Sequence, residues 1–262
     1  VAEGASVKTG GGPLRFCEYS PDSTGALVVR QGEMQVMSLR SYALPNAGTI
    51  TIGIDDTNNQ GFVAFTVRPD RDDLPGVWEV NSDIVALGNS ADMRLRVRRP
   101  EHNDVVIFNG DIDLSGFDTT NYLREFRFEI VDTVDGRDAV GATEYREDAF
   151  MVLAGDITGG NKRIRTLVSQ EGTGNRDLGS QTLSNQFDIF AFFDFRGSNA
   201  GWTGSLEVGN RTSDNDLDRR HFVRFGNDDG LASLAVGASN AVVLRHDATL
   251  QAHGGLVTVG NL

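Results

Sequence analysis

Helical periodicity is almost absent from this chain of 262 residues, and what recurs instead is a short alternating or wholly apolar run closed by Gly, Asn or Asp. TITIGID (49–55) sets Ile50, Ile52 and Ile54 on one face. MRLRVRR (93–99) puts Met93, Leu95 and Val97 on one face and Arg94, Arg96 and Arg98 on the other. LREFRFEIV (123–131) turns Phe126, Phe128 and Ile130 inward and Glu125, Arg127 and Glu129 outward. The last two runs suit each other as neighbours, because opposite charges facing across strands favour pairing. Runs of the same kind stand at 61–70, 77–81, 104–114, 149–155, 162–169, 204–210, 221–227, 230–237 and 240–247. FDIFAFFDF (187–195) is apolar on both faces except at Asp188 and Asp194, which predicts a central, doubly covered strand.

Turn formers separate nearly all of these runs, as in DDTNNQG, GNDDG and GSNAG. Many short strands at this spacing predict an all-β protein, an antiparallel β-sandwich or jelly roll in one large or two smaller domains. Composition divides the chain into a Gly-rich arm with a first hairpin (1–40), suited to docking, and a sandwich (41–155). A second sandwich, or the second half of the first, follows (156–245), and a terminal β segment closes the chain (246–262). No internal repeat extends beyond a few residues.

Composition narrows the function. The net charge of −13, without a basic run, argues against nucleic acid and anionic membranes as partners. No stretch has the apolar length of a membrane helix. Cys17 is the single cysteine, so the chain has no internal disulfide and no Cys-clustered zinc site, which suits folding in a reducing cytoplasm. The first residues lack an initiator Met and a basic-then-apolar leader, which reads as a trimmed start.

Catalytic motifs are sparse. There is no G-x-S-x-G elbow, and His102, His221, His246 and His253 sit in turns or alternating runs. KTGGGP runs into Leu-Arg-Phe rather than a helix, so it has no phosphate-binding geometry. Asp188 and Asp194 are the least surface-like carboxylates for a glycan-cleaving pair. For calcium, DIDLSG offers Asp111, Asp113 and Ser115 at alternate positions followed by Gly116, with Tyr122 where an EF-hand has its last Glu. DNDLD (214–218) is a weaker version with Arg219 in the glycine place. Trp202, in the Gly-rich SNAGWTG, is the candidate for stacking on a sugar, whereas Trp78 reads as core.

The C-terminal NAVVLRHDATLQAHGGLVTVGNL resembles segments of tailed-bacteriophage fibres and spikes where a globular part passes into a trimeric β shaft. FDIFAFFDFRGSNAGWTGSLEVGN with HFVRFGNDDGLASLAVG resembles, more loosely, a laminin-G or concanavalin-type jelly roll. The first resemblance implies a non-enzymatic virion structural protein, made in the host cytoplasm, that trimerises and links the particle to a receptor-binding region. Its partners would be copies of itself, other virion proteins and a host surface glycan. It places Gly254 and Gly255 near a three-fold axis and Leu256, Val257 and Val259 in an intersubunit core. VTVGNL also reads as the opening of a repeat, which predicts that the gene continues past Leu262. The alternatives are a glycan-binding or glycan-degrading tailspike domain, a head decoration protein, and a lectin-like surface module. Apart from calcium, no cofactor is expected.

Overall fold

The computed structural model describes residues 6–17, 25–38, 48–54, 61–69, 76–98, 104–118, 124–132, 145–170, 187–209, 219–226, 241–245 and 248–252. Within them the chain winds through three sheets in turn, A, B and C. The first coil gives β1 (Ser6–Lys8) to A and β2 (Pro13–Cys17) to B, and the second gives β3 (Leu27–Val29) and β4 (Gly32–Ser38) to the same two sheets. From the third coil to the sixth all three sheets are visited. β5 (Ile50–Gly53), β6 (Phe62–Pro69) and β7 (Val77–Val80) are followed by β8 (Ile84–Leu87), β9 (Asp92–Arg98) and β10 (Val105–Phe108). Then come β11 (Ile112–Asp113), β12 (Phe126–Asp132) and β13 (Tyr145–Leu153), and β14 (Ile157–Thr158), β15 (Ile164–Gln170) and β16 (Phe187–Phe195). Sheets B and C continue with β17 (Leu206–Val208) and β18 (Arg219–Phe225), then β19 (Val242–Leu244) and β20 (Ala248–Ala252).

Every strand pair is parallel, each strand bonding to its counterpart one coil on. The protein is all-β among the described residues, but it is a three-sided parallel β-solenoid, not an antiparallel sandwich or jelly roll. The physical reason for the mistaken expectation is plain. Alternating strands are the mark of a sheet with one buried and one outer face, which in most proteins is antiparallel, because parallel sheets ordinarily need helical crossovers. Here the other two sheets are the crossover, so parallel strands keep a polar outer face. The two runs that suited each other by charge are indeed neighbours: β9 pairs with β12, Leu95 beside Phe128 and Arg96 beside Glu129.

In-register stacking makes the interior a set of columns. In sheet A, Leu27, Ile50, Ile84, Ile112 and Ile157 follow one another, all buried. In sheet B the sequence is Met34, Phe65, Leu95, Phe128, Thr166 and Val208, all fully buried. β16 is central in sheet C, as expected, and sends Ala191, Phe193 and Phe195 inward. Phe128 meets Phe126 and Phe195 edge-on, with ring centres 5.4 and 5.8 Å apart, so the aromatic rings of sheets B and C interlock across the interior.

The corner from sheet C to sheet A is constant. Asn81-Ser82-Asp83, Asn109-Gly110-Asp111 and Ala154-Gly155-Asp156 each join a C strand to an A strand. A Cβ at Gly110 would lie 2.2 Å from the Ser82 carbonyl oxygen, and one at Gly155 equally close to that of Gly110. The coils touch here, which is why glycine recurs. This corner is the repeat that the sequence hides, since the connections on the other two sides vary in length.

Among the described residues sheet A ends at β14, and its ladder changes partner there. In earlier coils the Ile50, Ile84 and Ile112 amides donate to the carbonyls of Asp83, Asp111 and Asp156, at 2.7, 2.8 and 2.9 Å. Ile157 instead donates to the side-chain Oδ1 of Asn199 at 2.7 Å, and Asn199 sits at φ 50°, a conformation that Asn tolerates and a strand does not use.

Two interior substitutions test the column picture. Phe128→Ala should cost about 3–5 kcal/mol in denaturant unfolding. Thr166→Val should stabilise by about 1 kcal/mol, because the buried Thr166 hydroxyl has no hydrogen-bond partner among the described residues.

Candidate functional site

The outer face of sheet B carries the densest set of charges in the described structure. Parallel register forces like onto like: Arg94, Arg127 and Arg165 fall in one column on β9, β12 and β15. Three guanidinium groups at a strand spacing of about 4.8 Å would repel, and acids on the flanking positions offset this. Asp92 takes both Arg94 Nε and Nη2, at 2.5 and 2.7 Å, and also Arg127 Nη1 at 2.8 Å. Glu125 bridges Arg127 Nε at 3.0 Å and Arg165 Nη1 at 3.2 Å. Glu129, fully buried, accepts from Arg94 Nη1 at 2.7 Å on both oxygens and from the Ser169 hydroxyl at 2.5 Å. Arg96 Nε lies 2.7 Å from Glu129 Oε2, but off the hydrogen-bond line, so this contact is ionic.

Glu33 is the second centre, brought by β4 from two coils away. Its carboxylate accepts from the Thr66 hydroxyl at 2.6 Å, Gln35 Nε2 at 2.8 Å, Arg96 Nη1 at 2.9 Å and Arg98 Nη1 at 3.3 Å. Burial pushes its pKa up, but the Thr66 and Gln35 hydrogen bonds and the Arg96 and Arg98 charges outweigh it and hold it below the ordinary glutamate value. Asp92 behaves alike: burial raises, and the Arg94 hydrogen bond with the Arg94, Arg127 and Arg96 charges lowers further. For Arg94 burial works toward losing the proton, while Asp92 and Glu129 hold it more firmly than usual. Chemically this is a clamp of fixed charges running across five coils, from β4 to β15. Neither Glu33 nor Asp92 is tuned to give up a proton at neutral pH as an acid catalyst must.

The outer face of sheet C is aromatic. Phe150, Phe192 and Phe222 stack face to face, with centres 4.7 and 4.8 Å apart. Arg224 lies over Phe192 at 4.8 Å and over Phe150 at 5.4 Å, and both its Nε and Nη2 hydrogen-bond Asp194. Because the rings face each other, their edges rather than their faces point outward, which does not offer a sugar a stacking surface. Asp194 is buried and tied to Arg224 and Arg196. Asp188 is in register with Arg146, and its side chain lies outside the described residues.

The other candidates fall elsewhere. Trp202 is 1% exposed: its Nε1 donates to the Lys162 carbonyl at 2.7 Å, and it is bridged to Gly160 as Phe117 is to Gly88. It is a corner aromatic of the interior and presents no ring to a ligand; Trp78, at 3%, is core as expected. Asp111 Oδ1 accepts the Asp156 amide at 2.8 Å, as Asp83 accepts that of Asp111 at 3.0 Å. Asp113 Oδ1 accepts the Ser115 amide at 2.8 Å. These oxygens serve the corner, and among the described residues no group of three His, Cys, Asp or Glu side chains could hold a metal. His221 is buried against the inner side of sheet C, while His102, His246, His253, the 214–218 acids and Gly254, Gly255, Leu256, Val257 and Val259 lie outside the described residues.

The Arg and Glu rows of β9 and β12 were readable from their alternation, but Glu33 and Asp92 were missed. GEMQVMS (32–38) has the same alternation and would have supplied the first of them. Compared with known proteins, the chain matches no family model, no curated protein and no solved structure.

The low pKa values of Glu33 and Asp92 fix a sign. Both are stabilising above their unfolded pKa, and that contribution is lost as pH falls through the lower folded value, below about pH 4. Glu33→Gln should therefore cost about 3 kcal/mol or more at pH 7, and the gap to the wild type should narrow at pH 3 in urea unfolding.

Proposed function

We propose that the protein is a non-enzymatic structural component of a virus particle, a tail fibre, spike or head appendage of the tailed-phage kind. In this reading the solenoid is a stiff spacer that associates with copies of itself and links the particle to a receptor-binding region. The observation that carries it is the clamp on sheet B, in which Asp92, Glu125 and Glu129 are each engaged by an arginine of the adjacent coil and Glu33 by Arg96 and Arg98 from two coils away. Charges committed to joining one coil to the next serve mechanical continuity, and repeat stacking gives an elongated body whose stability is a sum over neighbours. The resemblance of the C-terminal segment to fibre and spike sequences supplies the virion context.

The test is to incubate the full chain with capsular and lipopolysaccharides from a panel of bacteria, and to measure its mass by light scattering. The expected result is a trimer mass with no new reducing or unsaturated sugar ends. Turnover that Glu33→Gln or Asp194→Asn abolishes would replace this reading with a glycan-degrading one.

A further inference from the structure

The outer face of sheet B is layered by charge. The side chains of Glu129, Glu125 and Glu33 are 0, 4 and 9% exposed, while those of Arg94, Arg96, Arg98 and Arg127 are 12–19% exposed. The carboxylates lie beneath and the guanidinium groups above them; of the clamp's acids only Asp92, at 29%, reaches the surface with the arginines. A chain with a net charge of −13 thus turns arginine outward on one face. We propose that this face is a binding site for an acidic polysaccharide, whose carboxylates or phosphates are taken by Arg96 and Arg127 on β9 and β12.

The site consists of donors left over from the clamp. Each guanidinium has five N–H groups in a planar fork. Arg127 gives Nε to Glu125 and Nη1 to Asp92, and Arg96 gives Nη1 to Glu33 while its Nε faces Glu129. Among the described residues neither Nη2 has a hydrogen bond, and neither is enclosed, so both open to solvent. The forks are also fixed in place. Arg94 and Arg96 lie over the Phe62 ring at 5.3 and 5.4 Å, and Arg127 is held at two of its nitrogens. Donors already immobilised lose little entropy on binding, and a fork matches the paired oxygens of a carboxylate or phosphate.

A polymer is favoured over a lone anion because the charge recurs. Arg94, Arg127 and Arg165 repeat at the strand spacing of about 4.8 Å, so an anionic chain laid along the solenoid axis meets a guanidinium at each coil. Nucleic acid fits less well. Its dense phosphates are repelled by an acidic chain, and the Phe62 ring lies under Arg94 and Arg96, where no base can stack on it. The charges of an acidic polysaccharide are spaced by whole sugar rings and meet less of this repulsion. The inference rests on the layering of charge and not on the virion reading, and it needs no cleavage of the sugar.

The test titrates the full chain by calorimetry with an oligogalacturonate, a phosphomannan, neutral dextran and a single-stranded oligonucleotide. Expected is binding of the oligogalacturonate, the phosphomannan or both, weakened about threefold or more between about 50 and about 200 mM salt, with no binding of dextran. Arg96→Gln and Arg127→Gln should each weaken binding about fivefold or more, and Arg30→Gln, at the exposed corner before β4, should not. The first two variants leave every acid of the clamp an arginine: Asp92 and Glu129 keep Arg94, Glu125 keeps Arg165 and Glu33 keeps Arg98. Thermal unfolding checks that they fold, and the milder Arg127→Lys, which keeps the charge and loses the fork, should still weaken binding about threefold. Absence of binding to the wild type at low salt would overturn the proposal. So would an affinity unchanged in all three variants of Arg96 and Arg127, or tighter binding of the oligonucleotide than of either polysaccharide. New sugar ends would contradict the spacer reading and not the site, so the two stand or fall separately.

Discussion

Stacking parallel strands in register puts each side chain against its counterpart one coil away, at a strand spacing of about 4.8 Å. A column can persist only if its members tolerate one another. Inside, that condition yields runs of Ile or of Phe, Leu and Val, which gain from contact with their own kind. At the corner it yields glycine, where backbones meet, and aspartate, whose carboxylate accepts the amide of the next coil. Outside, the same condition is a problem, because Arg94, Arg127 and Arg165 must share a column. The flanking Asp92, Glu125 and Glu129 are the solution, and the charged outer face of sheet B follows from it.

Strand positions were legible because alternation is a local property. Ile50 and Ile52, the inner faces of β9 and β12, and the central place of β16 all follow from the spacing of apolar residues along one strand. Parallel pairing was not legible, because it is a relation between residues a whole coil apart. The coils differ in length: Ile84 answers Ile112, but Ile112 answers only Ile157. Variable connections on two of the three sides break any fixed period. The signal that survives is the short corner NSDI, NGDI, AGDI, which overlaps the start of DIDLSG.

The same relation explains why isolated motifs misled. Trp202 looks exposed in a Gly-rich stretch, yet glycines at a corner let an aromatic turn into the interior, as Gly88 does for Phe117. Asp194 looks reactive on an apolar strand, yet the next coil brings Arg224 onto it. In a solenoid the partner of a polar residue comes from the neighbouring coil, so its chemistry is decided by the residue one turn away. Among the described residues, the charges on the outer face of sheet B are largely engaged in holding coils together, and the proposed spacer role rests on that.

Register itself is the claim on which everything else depends, and cross-linking reads it directly. Thr51 and Val85 are partners on adjacent coils, and Asp113 is the next in the same column. With Cys17→Ser as background, Thr51→Cys/Val85→Cys should close a disulfide under mild oxidation. Thr51→Cys/Asp113→Cys, two coils apart at about 9–10 Å, should stay reduced. A bond between positions 51 and 113, or none between 51 and 85, would contradict the parallel solenoid.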